Sequence, residues 1–349
     1  MFFIEKVLKK FKYVKYLLYE IDRLSNNLSI ERDKYRAAYV PPGHFYSPIP
    51  SLQEIRTHEN KIFNVIPHNI LSVDLNEFEQ VGLIEIFAKY YKELPYHLDK
   101  NIYDIMIDMK NRYYSLNSDD EQKRNIISSY QEILANKEKM NLRYFYENTS
   151  FGLADAIALF CMIRHVKPRK IIEIGSGYSS CLMLDVNELF FNNSIQCTFV
   201  DPYPESILSL IHNEDKQKIQ IVQDRVQDLD IDIFSSLERN DILFIDSTHV
   251  SKVGSDVNHI IFNILPSLQR EVFIHFHDIF YPFEYPKEWI YEGRSWNECY
   301  ILRAFLQYNL SFKIIFYSSF MKCFYENLLK TNMPLFTTDS GGSFWIQKK

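Results

Sequence analysis

Lys170-Ile-Ile-Glu-Ile-Gly-Ser-Gly-Tyr-Ser-Ser180 is the stretch on which the fold turns. Ile171, Ile172 and Ile174 form a short β-branched run of the kind buried as a central parallel strand. Gly175 and Gly177 follow at once, and Ser179 and Ser180 open a helical run from Cys181 to Phe191. A strand, a glycine turn and a helix start make a unit that presents backbone N–H groups to a ligand. The glycines permit a tight turn and let a ligand approach where a Cβ would obstruct it. Ser180 stands where the third glycine of a G-x-G-x-x-G dinucleotide fingerprint would fall. Glu173, an acid inside the strand just before the turn, suits an ammonium group better than a pyrophosphate.

Downstream, short apolar runs alternate with helical spacing. Strands are expected at Gln196–Val200, Lys218–Val222, Asp241–Asp246, Glu271–Asp278, Phe312–Phe316 and Ser343–Ile346. Helices are expected near 205–212, 254–268 and 295–308. Such alternation implies an α/β fold, a doubly wound and mainly parallel Rossmann-like sheet. Ligands of these sheets bind beyond the C-terminal strand ends, near the switch point.

The acids collect on that rim. Glu173, Asp201, Asp246 and Asp278 each close or border a predicted strand end. Asp201 ends the second strand, where a carboxylate accepts hydrogen bonds from ribose hydroxyls. Gln227, just past the third strand, is a candidate for an adenine pocket. If the fourth and fifth strands are neighbours, their ends lie about 4.8 Å apart. Asp246 and Asp278 then need a cation beside them, and Mg²⁺ suits a few carboxylates plus water. His249 follows Asp246 by three residues and has the pKa to take a proton from an alcohol. His275 and His277 share one strand face; His275 reads as a core histidine, and His277 at the strand end as a site candidate.

Four motifs, Glu-Ile-Gly-Ser-Gly-Tyr-Ser-Ser, Phe-Val-Asp-Pro-Tyr-Pro, Leu-Phe-Ile-Asp-Ser-Thr-His-Val and His-Phe-His-Asp-Ile-Phe, together resemble a bacterial group of class I S-adenosylmethionine-dependent methyltransferases. Phe283-Glu-Tyr-Pro286, Trp296-Asn-Glu298, His44-Phe-Tyr-Ser-Pro and Arg143-Tyr also look like that group. The resemblance is strong from about residue 140 onward and weak before it. It implies S-adenosyl-L-methionine bound by Glu173, Gly175, Ser176, Gly177, Tyr178, Ser180, Asp201, Gln227 and Asp246. More distantly the domain is similar to metal-dependent O-methyltransferases of the catechol and macrolide-sugar types. Asp246 and Asp278 match the metal-binding acids, and His249 stands at the position of the base. Ile279 replaces the asparagine ligand of the catechol type, so a metal would need His277 or an outside residue instead. The implied reaction is O-methylation of a hydroxyl on a sugar, glycan or other small metabolite, with His249, Asp246 and His277 as the catalytic group.

Upstream, residues 1–36 read as one amphipathic or coiled-coil helix. Ile4, Val7, Phe11, Val14, Leu18, Ile21 and Leu28 step by three and four, which suits homo-oligomerisation. Lys6, Lys9, Lys10, Lys12 and Lys15 also suit an anionic membrane surface. Residues 37–150 read as a proline-rich linker and a helical cap, with helices at Leu83–Leu94, Ile102–Tyr114 and Ser118–Lys139, and residues 151–349 as the catalytic domain.

Bulk properties narrow the function classes. The 349 residues are 46% hydrophobic and 24% charged, as in a soluble globular protein. A net charge of −6 argues against a general nucleic-acid binder. Five cysteines, odd in number and without a C-x-x-C pair, argue against a disulfide framework or a cysteine zinc site and suit a reducing cytoplasm. No transmembrane run and no signal peptide are expected. Two rival classes are a nicotinamide-dependent oxidoreductase and a non-catalytic scaffold in glycan assembly. The missing third glycine and Glu173 weigh against the first.

Overall fold

Ile171, Ile172 and Ile174 lie 0–4% exposed in the first strand, β1 (Lys170–Ile174), because parallel neighbours cover both its edges and helices cover its faces. A computed structural model describes residues 39–96, 141–146, 148, 150–339 and 341–349. The helix expected over 1–36 and those at Ile102–Tyr114 and Ser118–Lys139 lie outside the described residues. The chain divides into two compact units, residues 1–65 with 290–295, and residues 66–289 with 296–349.

In the described part of the smaller unit, Gly43 N–H donates to the Ile49 carbonyl at 3.0 Å and closes the proline-rich loop. Phe45 stacks on His44 and meets Tyr46 at a tilt on that loop, while Phe45 and Tyr46 stay 80% and 67% exposed. Helix α1 (Leu52–Phe63) begins at Ser51, whose hydroxyl accepts from Glu54 N–H, a standard N-cap. Tyr291 donates its hydroxyl proton to Glu59 at 2.7 Å.

In the larger unit, helix α2 (Glu77–Tyr91) packs on α3 (Leu153–Val166) and on the last third of the chain. It carries a fully buried Gln80, whose amide donates to the Leu75 carbonyl and accepts from Tyr317 N–H. After β1 come α4 (Tyr178–Phe191), β2 (Gln196–Val200), α5 (Glu205–Leu210), β3 (Gln220–Val222) and β4 (Ile242–Ile245). A helical run over 256–267, with a π turn at Ile260–Ile264, leads to β5 (Phe273–Phe276). Then follow α6 (Glu298–Leu306), β6 (Phe312–Tyr317), α7 (Ser318–Asn332) and β7 (Phe344–Lys348).

Among the described residues the sheet has seven strands in the order β3-β2-β1-β4-β5-β7-β6. The first five pair in parallel, and β7 runs antiparallel between β5 and β6. This is the doubly wound, mainly parallel α/β sheet that the alternation implies. Every residue of β4 is at most 1% exposed, so β4 and β1 are its apolar centre. From β1 the chain winds toward β3 and then returns to β4 on the other side, which puts the switch point at the β1–β4 ends.

One polar bolt fixes the approach to α3. Arg143, 4% exposed, reaches Asp185, Asp215 and Glu188, and Asp215 takes both arms of its guanidinium at 2.7 and 2.6 Å. Asp185, wholly buried in α4, also accepts from the main-chain N–H groups of Arg143 and Tyr144. No helix among the described residues is long and apolar enough to cross a membrane.

Candidate active site

The β1 turn and the end of β4 touch main chain to main chain. Gly175 has φ +81, and a Cβ there would lie 2.0 Å from the Asp246 carbonyl oxygen. Only glycine combines that conformation with that approach. Gly177 is different: a Cβ on it would meet nothing within 4 Å, so its side opens to free space. Ser176 donates from both its N–H and its hydroxyl to one oxygen of Asp201, at 3.0 and 2.6 Å. The other Asp201 oxygen accepts from Tyr203 N–H at 2.8 Å.

Gly175, Asp201, Gln227 and Asp246 line one cleft of about 470 Å³, beyond the ends of β1, β2 and β4. Tyr203, Lys252 and Ser255 line it too. Gln227 reaches across to donate to the Gly254 carbonyl at 3.1 Å. Tyr178 begins α4, with its ring edge-on to Phe145.

Glu173 does not reach the open rim. It is wholly buried under the first turn of α4, where the hydroxyls of Ser179 and Ser180 both donate to it. Burial pushes its carboxyl up to about 8, against the pull of the two serine bonds. Ser180 Oγ in turn accepts Gly177 N–H at 3.0 Å. The central place of β1 explains the burial: both faces of the strand are covered, so residue 173 has no open side.

On the other side of Asp246 stands His249, 5% exposed, on a loop anchored by Thr248, which bonds Asp256 through its N–H and its hydroxyl. Its Nε2 lies 3.3 Å from Asp246 Oδ1 and 3.8 Å from Asp278 Oδ2, and its Nδ1 is 2.8 Å from Glu298 Oε2. Trp296 covers one ring face at 4.4 Å between centroids. His249 and Asp278 both adopt left-handed backbone, φ 59 and 57, a costly conformation for residues with side chains. A Cβ on Gly342 would meet the Asp278 main chain at 2.8–2.9 Å, so Gly342 makes room for that turn.

Charge follows from this crowding. Burial lowers the proton affinity of His249, but its bonds to Asp246 and Glu298 outweigh it and raise the pKa well above the ordinary value. His277 is likewise pushed up to about 9: burial opposes its charge, and Asp278, Asp246 and Asp155 overcome that. Asp246 is held below the usual carboxylate range, because the charges of His277 and His249 overcome its burial. Asp278 moves upward, by burial first and then by repulsion from Asp246 and Asp155. His275 is the core histidine expected, stacked on Phe244 at 3.9 Å and depressed well below its ordinary pKa by burial.

The structure thus brings Asp246, His249, His277 and Asp278 together and places Asp246 on the edge of the cleft. Ser179 and Glu298 complete the arrangement without having been singled out for a role by the sequence. Both act across tertiary contacts, and nothing in their spacing marks them.

Residues 172–279, from β1 through the end of β5, match the family model described as a methyltransferase domain. The chain carries a methyltransferase domain. This methyltransferase is also 34% identical over 217 residues to an uncharacterized protein of Archaeoglobus fulgidus, covering 60% of this chain and 78% of the relative. Among solved structures it is similar to the SAH-bound Podospora anserina methyltransferase PaMTH1, at 13% identity and TM-score 0.36, covering 67% of this chain and 98% of that one. A cmcI-N160 structure with SAH aligns at 16% identity and TM-score 0.27, over 38% of this chain and 64% of that chain.

Proposed function

We propose that the methyltransferase transfers the methyl group of S-adenosylmethionine to a hydroxyl of a sugar, glycan or other small metabolite, with His249 as general base. The observation that carries this reading is the position of Asp246. It lines the cleft that also holds Gly175, Asp201 and Gln227, and it bonds the imidazole that would take the acceptor proton.

The cleft fits a nucleoside in size, and the open side of Gly177 leaves main chain accessible to the rest of such a ligand. Asp201 holds the ribose, already oriented by Ser176 and Tyr203, and Gln227 faces the base. Glu173 acts through Ser179 and Ser180, fixing the helix start rather than meeting an ammonium group itself. When bound, the cofactor supplies an electrophilic methyl group on a sulfonium. His249 Nε2 receives the acceptor proton as the acceptor oxygen takes that methyl, and positioning two reactants supplies much of the acceleration. Asp246, Asp278 and Glu298 around the base disfavour an anionic acceptor. The Trp296 ring offers an apolar wall of the kind sugar C–H groups pack on.

A resident Mg²⁺ does not fit these residues. His277, pushed up to about 9 by Asp278 and Asp246 and lying 3.5 Å from Asp278 Oδ1, supplies the positive charge that a divalent ion would otherwise bring. Among the described residues no group of three or more His, Cys, Asp or Glu side chains is arranged to hold a metal ion. No step is therefore assigned to one.

The deciding experiment is His249→Ala, assayed with radiolabelled S-adenosylmethionine and a panel of simple glycosides and alcohols on which the wild type is active. Transfer should fall by at least ~100-fold, while calorimetry with S-adenosylhomocysteine stays as in the wild type. Undiminished transfer would reject the base.

A further inference from the structure

The start of α6 is built around His249. The main-chain N–H groups of Asn297 and Glu298 both donate to the His249 carbonyl, at 3.0 and 3.1 Å. The Asn297 side chain locks the same loop, accepting from Ser251 N–H at 2.6 Å and donating to the Ser251 carbonyl at 3.2 Å. Trp296 lies against the ring, and the Glu298 carboxylate, 1% exposed, meets Nδ1 at 2.8 Å. The other Glu298 oxygen accepts the Ser247 hydroxyl at 3.1 Å. A carboxylate this deeply buried is costly unless both oxygens are satisfied, and here an imidazole and a hydroxyl satisfy them. The two ring nitrogens therefore face different surroundings: Nδ1 a single sequestered carboxylate, Nε2 the rim shared with Asp246 and Asp278.

We propose that Glu298 is a positioning residue for methyl transfer: it keeps the Nδ1 proton of His249 in place, leaving Nε2 as the proton acceptor, and stabilises the imidazolium that forms. The inference rests on the reading of His249 as general base. The acceptor proton passes to Nε2, the Nδ1 proton stays between ring and carboxylate, and Glu298 remains ionised throughout. The Nε2 proton leaves to solvent after the product departs. A buried carboxylate that orients a histidine in this way is the second half of the triad arrangement, reached here from a helix 49 residues further along the chain.

Because the His249 carbonyl also caps α6, a purely structural clamp is the competing account, and the test must separate the two. The full chain labelled with ¹⁵N-histidine is titrated by NMR, and S-adenosylhomocysteine binding is followed by calorimetry. In the wild type, above its midpoint, the neutral His249 ring should carry its proton on Nδ1; a proton on Nε2 overturns the proposal without any variant. In Glu298→Gln, whose amide oxygen can still accept from Nδ1, His249 should lose at least ~10-fold in proton affinity, with binding of S-adenosylhomocysteine retained. An unchanged midpoint in a protein that still binds it overturns the proposal and leaves the base standing. Undiminished methyl transfer by His249→Ala removes the base itself, whatever Glu298 does.

Discussion

The main chain at Gly175 lies so close to the carbonyl of Asp246 that a single added methyl group would sit 2.0 Å from that oxygen. The turn that faces the cleft and the loop that carries His249 are therefore one rigid junction. A distortion at either is felt at both.

The junction separates the roles of the two glycines. Gly175→Ala combines a left-handed φ of +81 with a main-chain clash, so it should cost at least ~2 kcal/mol of stability and abolish cofactor binding. Gly177→Ala has extended backbone and open space, so stability should change by less than ~1 kcal/mol. Its loss should appear in affinity, because the new methyl group projects where the ligand passes. Urea unfolding paired with calorimetry on both variants checks the contrast; equal losses of stability would contradict it.

The raised proton affinities set two pH trends. A base must be neutral to accept a proton, so kcat/KM should climb as pH passes a midpoint above the ordinary histidine value of about 6.5. Stability runs the other way. Glu173 and His277 bind protons more tightly folded than unfolded, so their contributions are complete below their unfolded pKa values. They fade as pH rises through about 8 and about 9 respectively. The Tm should therefore fall between pH 6.5 and 9 while activity rises, and Glu173→Gln should flatten the Tm profile.

Removal of divalent metal should leave turnover unchanged. With His277 charged beside Asp278 and Asp246, the carboxylates already have a cationic partner that is not the base. Activity measured after EDTA treatment and again with added Mg²⁺ checks this. A metal requirement would show as loss and recovery of more than ~10-fold.

Arg143 offers a test far from the chemistry. Replacing it with Met strands Asp185 and Asp215 as buried charges without their cation, which should cost ~3–5 kcal/mol. Asp185→Asn should cost less, since an amide oxygen in the place of Oδ2 still accepts the main-chain N–H groups of Arg143 and Tyr144. Denaturant unfolding ranks the two variants, and the reverse order would refute the account.

How much of this was legible in the chain depends on range. Lys170 to Ser180 signals strand, turn and helix within eleven residues, and β1 to β5 follow from local apolar runs, most with acids at their ends. The long helix α7 carried no clear signal, since its helical pattern breaks at Tyr325, where the backbone departs to φ −126. The antiparallel β7 reads as a strand, yet its insertion between β5 and β6 depends on partners elsewhere in the chain. Gly175 shows the subtler limit. Its sequence position suggests room for a ligand, whereas its Cβ site is filled by Asp246. Glu298 falls in a stretch that the resemblance marks, Trp296-Asn-Glu298, yet its partner is illegible there, because only folding brings it to His249.

Asp201 allows the cleft to be tested apart from the base. One of its oxygens is held by Ser176 and the other by Tyr203, so its carboxylate is oriented before any ligand arrives. Such preorganisation means that a ribose meeting it loses little further freedom. Asp201→Ala frees both loops and removes the acceptor, and the affinity for S-adenosylhomocysteine should fall ~10–100-fold. Asp201→Asn can preserve the bond from Ser176 but presents an N–H₂ toward Tyr203 N–H or toward the ribose, so it should lose nearly as much. His249→Ala, by contrast, leaves this cleft intact. If Asp201→Ala and His249→Ala weakened binding equally, the division between cofactor cleft and proton-transfer site would be wrong.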